Sequence, residues 1–374
     1  MSLWEVKDRG LLPSTDPLTS IVAKDEKYVP LVAHLENIVG VLPHWIVDRK
    51  VREELVFSLR DVSYLIDTNF LLNQSEAILE RLLHIFSFMA NAYVYAEKEN
   101  MANRIPSEIA IPLNVLAEKL SRKPILSNIS YFVYNWQKID AEEPIEYNNI
   151  RSLSNFSFQQ EECEIIKLMV ALEASGQEGV KACCEILEGN FGRKNHEIKV
   201  AYNDILTKLF VSLAKMNAAV KKFNEFFDLF KTDSKESEVS GIYSRYLSSF
   251  NNIVFEGCFD NKPINISSDF SLFPNSLTAI LMVLEMDSIL DSQNKVKDQN
   301  LPVSHRNFFE SLHQKIAKND AESLGLRVIS QAESSLHEIY NECIGEIYQL
   351  YQKNSFFFSD AVSSHKDILK QHML

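Results

Sequence analysis

Glycine and proline are scarce in this chain of 374 residues, which contains ten glycines and eleven prolines. Because these residues punctuate turns and interrupt regular structure, their scarcity favours long helices over many short strands. The five cysteines form no CxxC pair and are odd in number, so they indicate neither a zinc knuckle nor a complete disulfide framework. Buried free thiols in a reducing compartment fit this pattern best.

Long apolar runs and a signal-like N-terminus are also missing. The first thirteen residues, MSLWEVKDRGLLP, carry acidic residues and a proline instead of an apolar stretch of signal length. No run of about 18 apolar residues occurs in the sequence. The sequence therefore predicts a cytoplasmic or nuclear protein that does not enter a membrane.

Basic residues are in the minority, with 38 lysines and arginines against 51 acidic residues and a formal charge of −13. An acidic surface repels phosphate backbones and anionic lipids alike. We therefore expect no direct nucleic-acid partner, and protein partners are the favoured class.

The residues that are abundant predict a folded, helical chain. The hydrophobic set makes up 46% of the sequence, which excludes disorder, and the length corresponds to roughly two domains. Apolar residues recur at helical spacing from Leu31 until Pro43 and again from Glu76 to Tyr95, where the helix should be buried on most sides. Later segments with helical periodicity lie at about 162–188, 196–231, 236–250, 274–292, 303–317 and 328–353.

This organisation predicts an all-α fold with two domains. Closely spaced prolines divide the chain between about 106 and 144 into short pieces, such as the compact helix PLNVLAEKL. We expect a small helical domain over residues 1–150 and a larger helical bundle over 151–374.

Catalytic signatures are absent from the sequence. It contains no GxGxxG, P-loop, HExxH or GxSxG string. None of its nine histidines lies three or four residues from another, so no pair of metal ligands shares a helix face, although ligands from different helices stay possible.

Several strings nevertheless resemble those of one family, in order and at similar spacing. They are Asp8-Arg9-Gly10-Leu11-Leu12-Pro13, MANAYVY (89–95), Ile105-Pro106, IAIP (109–112), RKPIL (122–126) with Asn135-Trp136, Tyr246-Leu247-Ser248, VFEG (254–257), and Pro302 with His305-Arg306-Asn307-Phe308. This set is similar to the indoleamine 2,3-dioxygenases, helical haem proteins that open the indole ring of tryptophan with dioxygen. The resemblance implies their fold, while the matched residues themselves build structure more than chemistry.

The same resemblance implies a haem ligand at a position that holds no histidine here. Family members bind haem iron through an imidazole eleven residues after the cysteine of a Tyr-x-x-Cys segment. That segment is Tyr340 to Cys343, and the ligand position is Asn354. An amide is a feeble iron ligand compared with imidazole. His365 in the tail, or His313, is the weaker alternative.

The family's clamp for the substrate carboxylate is displaced as well. Anchored on Tyr246, the family's arginine position is Ser244, and its phenylalanine positions are Val239 and Ser240. Arg245 is one residue away, roughly 100° around a helix. It is either a structural residue or a clamp that a local shift restores.

Two further parts of the family's pocket differ. The glycine-rich loop near the cofactor corresponds to a stretch without glycine that contains Phe270 and Phe273. On the helix that lines the distal pocket, the resemblance places Lys167, Leu168 and Ala171 at the pocket positions. A lysine there would be costly unless the pocket is lost or wet.

These departures predict a haem-free pseudoenzyme of the family that serves as a protein-binding or scaffolding module, with no cofactor. A partner peptide or helix could occupy the former haem cleft or a surface groove. The alternatives are a haem-dependent tryptophan 2,3-dioxygenase with a displaced ligand, and a pocket that binds a small indole without turning it over. The consecutive Phe356, Phe357 and Phe358 are either core plugs or a docking patch.

Overall fold

The computed structural model describes residues 9–23, 25–60, 62, 70–71, 73–97, 100–188, 245–268, 274–283 and 299–318, with single positions or pairs between 211 and 225 and between 338 and 349. Helices dominate this part of the chain, and the expected all-α class is confirmed. The described helices are α1 (Val29–Val47), α2 (Val51–Arg60), α3 (Glu76–Tyr95), α4 (Ser107–Lys119), α5 (Gln160–Ser175), α6 (Gln177–Glu188), α7 (Asn275–Val283) and α8 (Val303–Lys318).

Helix α1 continues through Pro43, where the sequence pattern predicted its end. An interior proline lacks the N–H donor of the helical bond and crowds the carbonyl four residues before it, but the helix continues past this position. The following turn is closed by Asp48, whose N–H donates to the His44 carbonyl at 2.9 Å. The helix therefore reaches Val47, one turn beyond the prediction.

Helix α3 is the central element of the described core, and its predicted burial is confirmed. Of its twenty residues, seventeen are buried, including the polar Glu80, Arg81, His84 and Asn91.

Helix α4 begins at Ser107, five residues before the start of the predicted compact helix. Pro106 adopts an extended conformation at its N-cap, and Pro112 is accommodated inside the helix. The single helix predicted over 162–188 is two helices that meet at Gly176.

Five short strands accompany the helices of the described chain. They are β1 (Arg104–Ile105), β2 (Trp136–Lys138), β3 (Ile150–Ser152), β4 (Phe250–Phe255) and β5 (Pro263–Ile266). Strand β4 pairs in parallel with β1 and antiparallel with β5, while β2 and β3 form an antiparallel pair in which Trp136 faces Ser152. The strands thus form a three-stranded sheet in the order β1–β4–β5 and a two-stranded β2–β3 sheet, and the first of these ties distant parts of the chain together.

One hydrophobic cluster joins residues from both sides of position 150. It includes Leu35 of α1, Phe86 of α3, Ile165 of α5 and Phe250 of β4, all with no exposed surface. The division into domains at residue 150 stays a prediction. Within the described residues, no helix is long and apolar enough to cross a bilayer.

Candidate functional site

Most of the candidate positions singled out in the sequence fall in parts of the chain that the structure does not describe. These are Val239, Ser240, Ser244, Phe270, Phe273, Asn354, Phe356, Phe357, Phe358 and His365. The described candidates are Arg245, His313 and the three positions on α5.

Arg245 binds the end of helix α3. Its Nε donates to the Tyr95 carbonyl oxygen at 2.6 Å, and its Nη2 donates to the Ala96 carbonyl oxygen. The guanidinium also lies 5.1 Å from the centre of the Tyr246 ring. A cation at a helix C-terminus satisfies carbonyls that have no partner within the helix. These contacts leave Arg245 engaged in structure, which agrees with the structural reading of this residue.

Lys167 does not point into an apolar pocket. Its Nζ lies 3.2 Å from Glu164 Oε1 and 4.3 Å from the centre of the Tyr147 ring. The side chain is therefore paired and partly exposed, and it avoids the desolvation cost that a buried lysine would carry.

Leu168 and Ala171 line an open groove of about 820 Å³ beside α5. We call it the α5 groove; its opposite wall is the β2–β3 connection with Pro144, Ile145 and Tyr147. Its volume lies within the range of small-molecule and peptide sites. Two of the three helix positions that the resemblance assigns to the distal pocket thus line an accessible depression.

The rim of the α5 groove is acidic on the side of the β2–β3 connection. Glu142, Glu143 and Glu146 are exposed there, and their carboxylates form no ion pair within the described residues. Of the basic groups in the lining, Arg9 is neutralised by Asp16. The two others, Lys138 and Lys215, leave the rim with a local excess of negative charge.

Stacked aromatic rings fill the interior between α3, the start of α5 and residue 246. The Phe88 and Phe156 ring centroids are 4.6 Å apart, and those of Phe156 and Tyr246 are 4.4 Å apart. Tyr131 completes the stack at 5.7 Å from Phe88. All four rings are almost fully buried, so this part of the interior is closed to a ligand.

The buried Glu162 organises this stack. Its carboxylate accepts hydrogen bonds from the Tyr131 hydroxyl at 2.7 Å, from the N–H groups of Phe156 and Ser157 at 2.8 Å each, and from the Ser157 hydroxyl at 2.7 Å. Burial raises the pKa of Glu162, and these hydrogen bonds oppose the rise. Sequence reasoning missed this residue, although its place in the first turn of α5 is a position where carboxylates are favoured.

The described histidines differ in the freedom of their ring nitrogens. His84 uses both, one with the Ser130 carbonyl at 2.9 Å and one with the Ser154 hydroxyl at 2.8 Å, and burial holds its pKa well below the ordinary value. His305 and His313 lie on α8, and each has a buried Nδ1 without a hydrogen-bond partner. Burial, with the nearby Arg122, lowers the pKa of His305 to about 4.

No group of three or more potential metal ligands occurs among the described side chains, and the arginine nearest the family's clamp position is engaged at the end of α3. His313 is the one sequence-predicted alternative haem ligand in the described region, and its buried Nδ1 has no hydrogen-bond partner.

The described fold is helical, and comparison with known proteins gives the family. A family model for indoleamine 2,3-dioxygenase matches residues 1–230, and the chain belongs to that family. The matched region ends before Ser244 and Asn354, the positions at which the family's clamp and ligand would fall.

Individual relatives are distant. The chain is 26% identical to indoleamine 2,3-dioxygenase 1 of Rattus norvegicus over 73% of its length and 66% of the relative's. It is 25% identical to indoleamine 2,3-dioxygenase 1 of Mus musculus over 83% of this chain and 79% of that protein. Indoleamine 2,3-dioxygenase 2 of Homo sapiens is 23% identical over 72% of this chain and 65% of the relative. The alignment thus spans slightly less than two thirds of the rat and human proteins.

Proposed function

We propose that this chain is a haem-free member of the indoleamine 2,3-dioxygenase family that acts as a protein-binding or scaffolding module. The observation that carries the proposal is the α5 groove, whose helix wall carries Leu168 and Ala171. The proposed ligand is an extended segment of a partner protein with apolar side chains for the groove floor and basic side chains for Glu142 and Glu143.

Two departures from the family support the loss of haem chemistry. The resemblance places Asn354 at the position of the iron ligand, and an amide binds iron poorly. Arg245, which would have to shift to clamp a substrate carboxylate, is held by the Tyr95 and Ala96 carbonyls. The proposed setting stays cytoplasmic or nuclear.

A peptide library displayed on phage and panned against the purified full chain tests the groove. We expect enrichment of peptides that combine lysine or arginine with apolar residues. Ala171→Trp should abolish their binding by filling the groove, and the double variant Glu142→Lys/Glu143→Lys should weaken it. Glu53→Lys, which reverses an exposed charge on α2 away from the groove, is the matched control. Equal binding to Ala171→Trp would refute the site.

The alternative function is a haem-dependent tryptophan 2,3-dioxygenase with a displaced ligand, which the available Nδ1 of His313 favours. Adding haemin to the purified protein separates the two functions. We expect no stable stoichiometric Soret band. A band that His313→Ala or His365→Ala abolishes, while His34→Ala preserves it, would overturn the haem-free proposal. His34 suits the control because its Nε2 is already bonded to the Ser58 carbonyl.

Binding of a small indole without turnover is a third function that thermal-shift titration resolves. A ligand that binds only the folded state raises the apparent stability. A shift with millimolar tryptophan that Ala171→Trp removes would place the indole in the α5 groove. No shift at that concentration would exclude this function.

A further inference from the structure

A second cavity, of about 320 Å³, lies beneath the N-terminal loop and away from the α5 groove. We call it the loop pocket. Residues 13–18 of the loop cover it, Ser75 and Glu76 at the start of α3 are exposed beside it, and the buried Glu80 and Arg81 line its inner side. Its volume suits a small organic molecule.

Arg81, which lines this pocket, has a buried hydrogen-bond donor without a partner. Its Nε and Nη2 bind the Glu36 carboxylate at 3.2 and 2.5 Å, but its Nη1 has no partner. The side chain is only 5% exposed. A buried guanidinium N–H without an acceptor is costly, so the pocket calls for a ligand oxygen, preferably a charged one.

The N-terminus of α3 adds further donors. The first backbone bond into this helix runs from Leu79 N–H to the Ser75 carbonyl at 2.9 Å, so the earlier N–H groups have no partner within the helix. The Ser75 side chain makes no capping hydrogen bond. The twenty-residue helix directs the positive end of its dipole towards an anion at this point.

The pocket also contains negative charge, which excludes a simple anion. Glu76 is exposed at its mouth and would repel a ligand that carried only a carboxylate, whereas Glu80 on the inner side is paired with Arg122 at 2.6 Å. A simple cation is equally disfavoured, because it would face Arg81 and leave Nη1 unsatisfied. A ligand with both charges satisfies both sets of groups.

We infer that the loop pocket binds a zwitterionic small molecule, a free α-amino acid with an aliphatic side chain. Its carboxylate faces Arg81 and the start of α3, its ammonium faces Glu76, and its side chain packs against apolar surface. The apolar lining consists of Pro13, Pro17, Leu18 and Ala77. This inference is independent of the α5 groove and of haem.

Calorimetric titration of the full chain with L-leucine tests the inference. The two half-ligands, isopentylamine and 4-methylpentanoate, carry the same side chain but only one charge each. We expect saturable binding of leucine and no binding of either half-ligand at the same millimolar concentration. Half-ligands that bind as tightly as leucine, or the absence of binding by every common aliphatic amino acid, would overturn it.

Variants locate the site. Arg81→Gln should weaken leucine binding about tenfold or more, as expected for loss of a charge-assisted contact. Glu36→Gln breaks the same ion pair but keeps the guanidinium, so it should retain binding. If Arg81→Gln does not fold, Ala77→Trp, which fills the pocket, gives a second test. Undiminished binding in Ala77→Trp would refute the site, whereas Ala171→Trp in the α5 groove should leave leucine binding unchanged.

Discussion

Arg245 donates from Nε to the Tyr95 carbonyl oxygen at 2.6 Å and thereby closes the C-terminus of the most deeply buried helix of the described chain. The Tyr95 hydroxyl returns to the same segment, donating to the Ser249 carbonyl at 2.6 Å. Reciprocal bonds of this kind fix the chain after residue 244 against α3. A side chain held in this way contributes to the fold.

Arg245→Gln should lower the free energy of unfolding by about 1–3 kcal/mol, because buried or half-buried carbonyls lose charge-assisted donors. Urea denaturation measures this loss. Lys262→Gln is the control: Lys262 is exposed and pairs only with the exposed Asp260, so its effect should stay within about 0.5 kcal/mol. An unchanged midpoint for Arg245→Gln would show that the contacts with α3 carry no stability.

The buried pair between Glu80 and Arg122 should be strongly coupled. Arg122 Nη1 lies 2.6 Å from Glu80 Oε2, and Nη2 donates to the hydroxyls of Ser127 and Ser130. Arg122→Met leaves a buried carboxylate without its partner and should cost about 3–5 kcal/mol.

The double variant Glu80→Met/Arg122→Met should recover part of that loss, because no uncompensated charge is left in the core. A double-mutant cycle by chemical denaturation measures the coupling. If the two single losses simply add, the pair is not coupled and the buried network is held by its other hydrogen bonds.

Regular apolar periodicity predicted the helices, whereas the elements that sequence analysis missed depend on tertiary contacts. Helices α3 and α8 have sustained apolar periodicity, and both appear close to the predicted bounds. Strand β4 was missed because its residues Phe250–Phe255 pair with strands more than a hundred residues earlier and about ten later, contacts that local periodicity does not report.

The candidate site was less predictable than the fold. The resemblance placed Lys167 at a pocket position, but its orientation depends on Glu164 and Tyr147, which draw the ammonium to the surface. Arg81 and Glu162 carried no motif, since their importance comes from burial and from partners far away in the chain. A single sequence shows residue types at a spacing, whereas desolvation needs the packed structure.

The buried His305 should make the protein less stable in mild acid. Its pKa in the folded protein is about 4, against 6.5 for an unperturbed histidine, so below pH 6.5 the unfolded chain takes up a proton that the folded chain does not. The contribution of neutral His305 to the free energy of unfolding is therefore present in full above pH 6.5. It is lost as the pH drops towards 4, by about 3 kcal/mol in all for a shift of this size.

Denaturation at a series of pH values down to 5.5 measures this slope, and His305→Gln should flatten it. His84, whose pKa is also lowered, should leave a residual slope of the same sign. Glu80 and Glu162 have raised pKa values and act with the opposite sign above their ordinary value of 4.5, so the slope of His305→Gln is compared with that of the unaltered chain, in which their contribution is the same. An identical slope in His305→Gln would show that His305 is not the titrating group.

Two glycines should respond to alanine in opposite directions. Gly257 follows β4 with a φ of +80°, and an added Cβ would lie 2.9 Å from Ile111 Cδ1, so Gly257→Ala should destabilise the protein by about 1–2 kcal/mol. Gly40 is an exposed position in α1 where a Cβ meets nothing within 4 Å, so Gly40→Ala should stabilise it by about 0.5–1 kcal/mol. Thermal unfolding of the two variants beside the unaltered chain measures the direction in which each substitution changes stability. A stabilised Gly257→Ala would mean that the turn after β4 does not need its left-handed backbone, while a destabilised Gly40→Ala would mean that this face of α1 is covered in the folded protein.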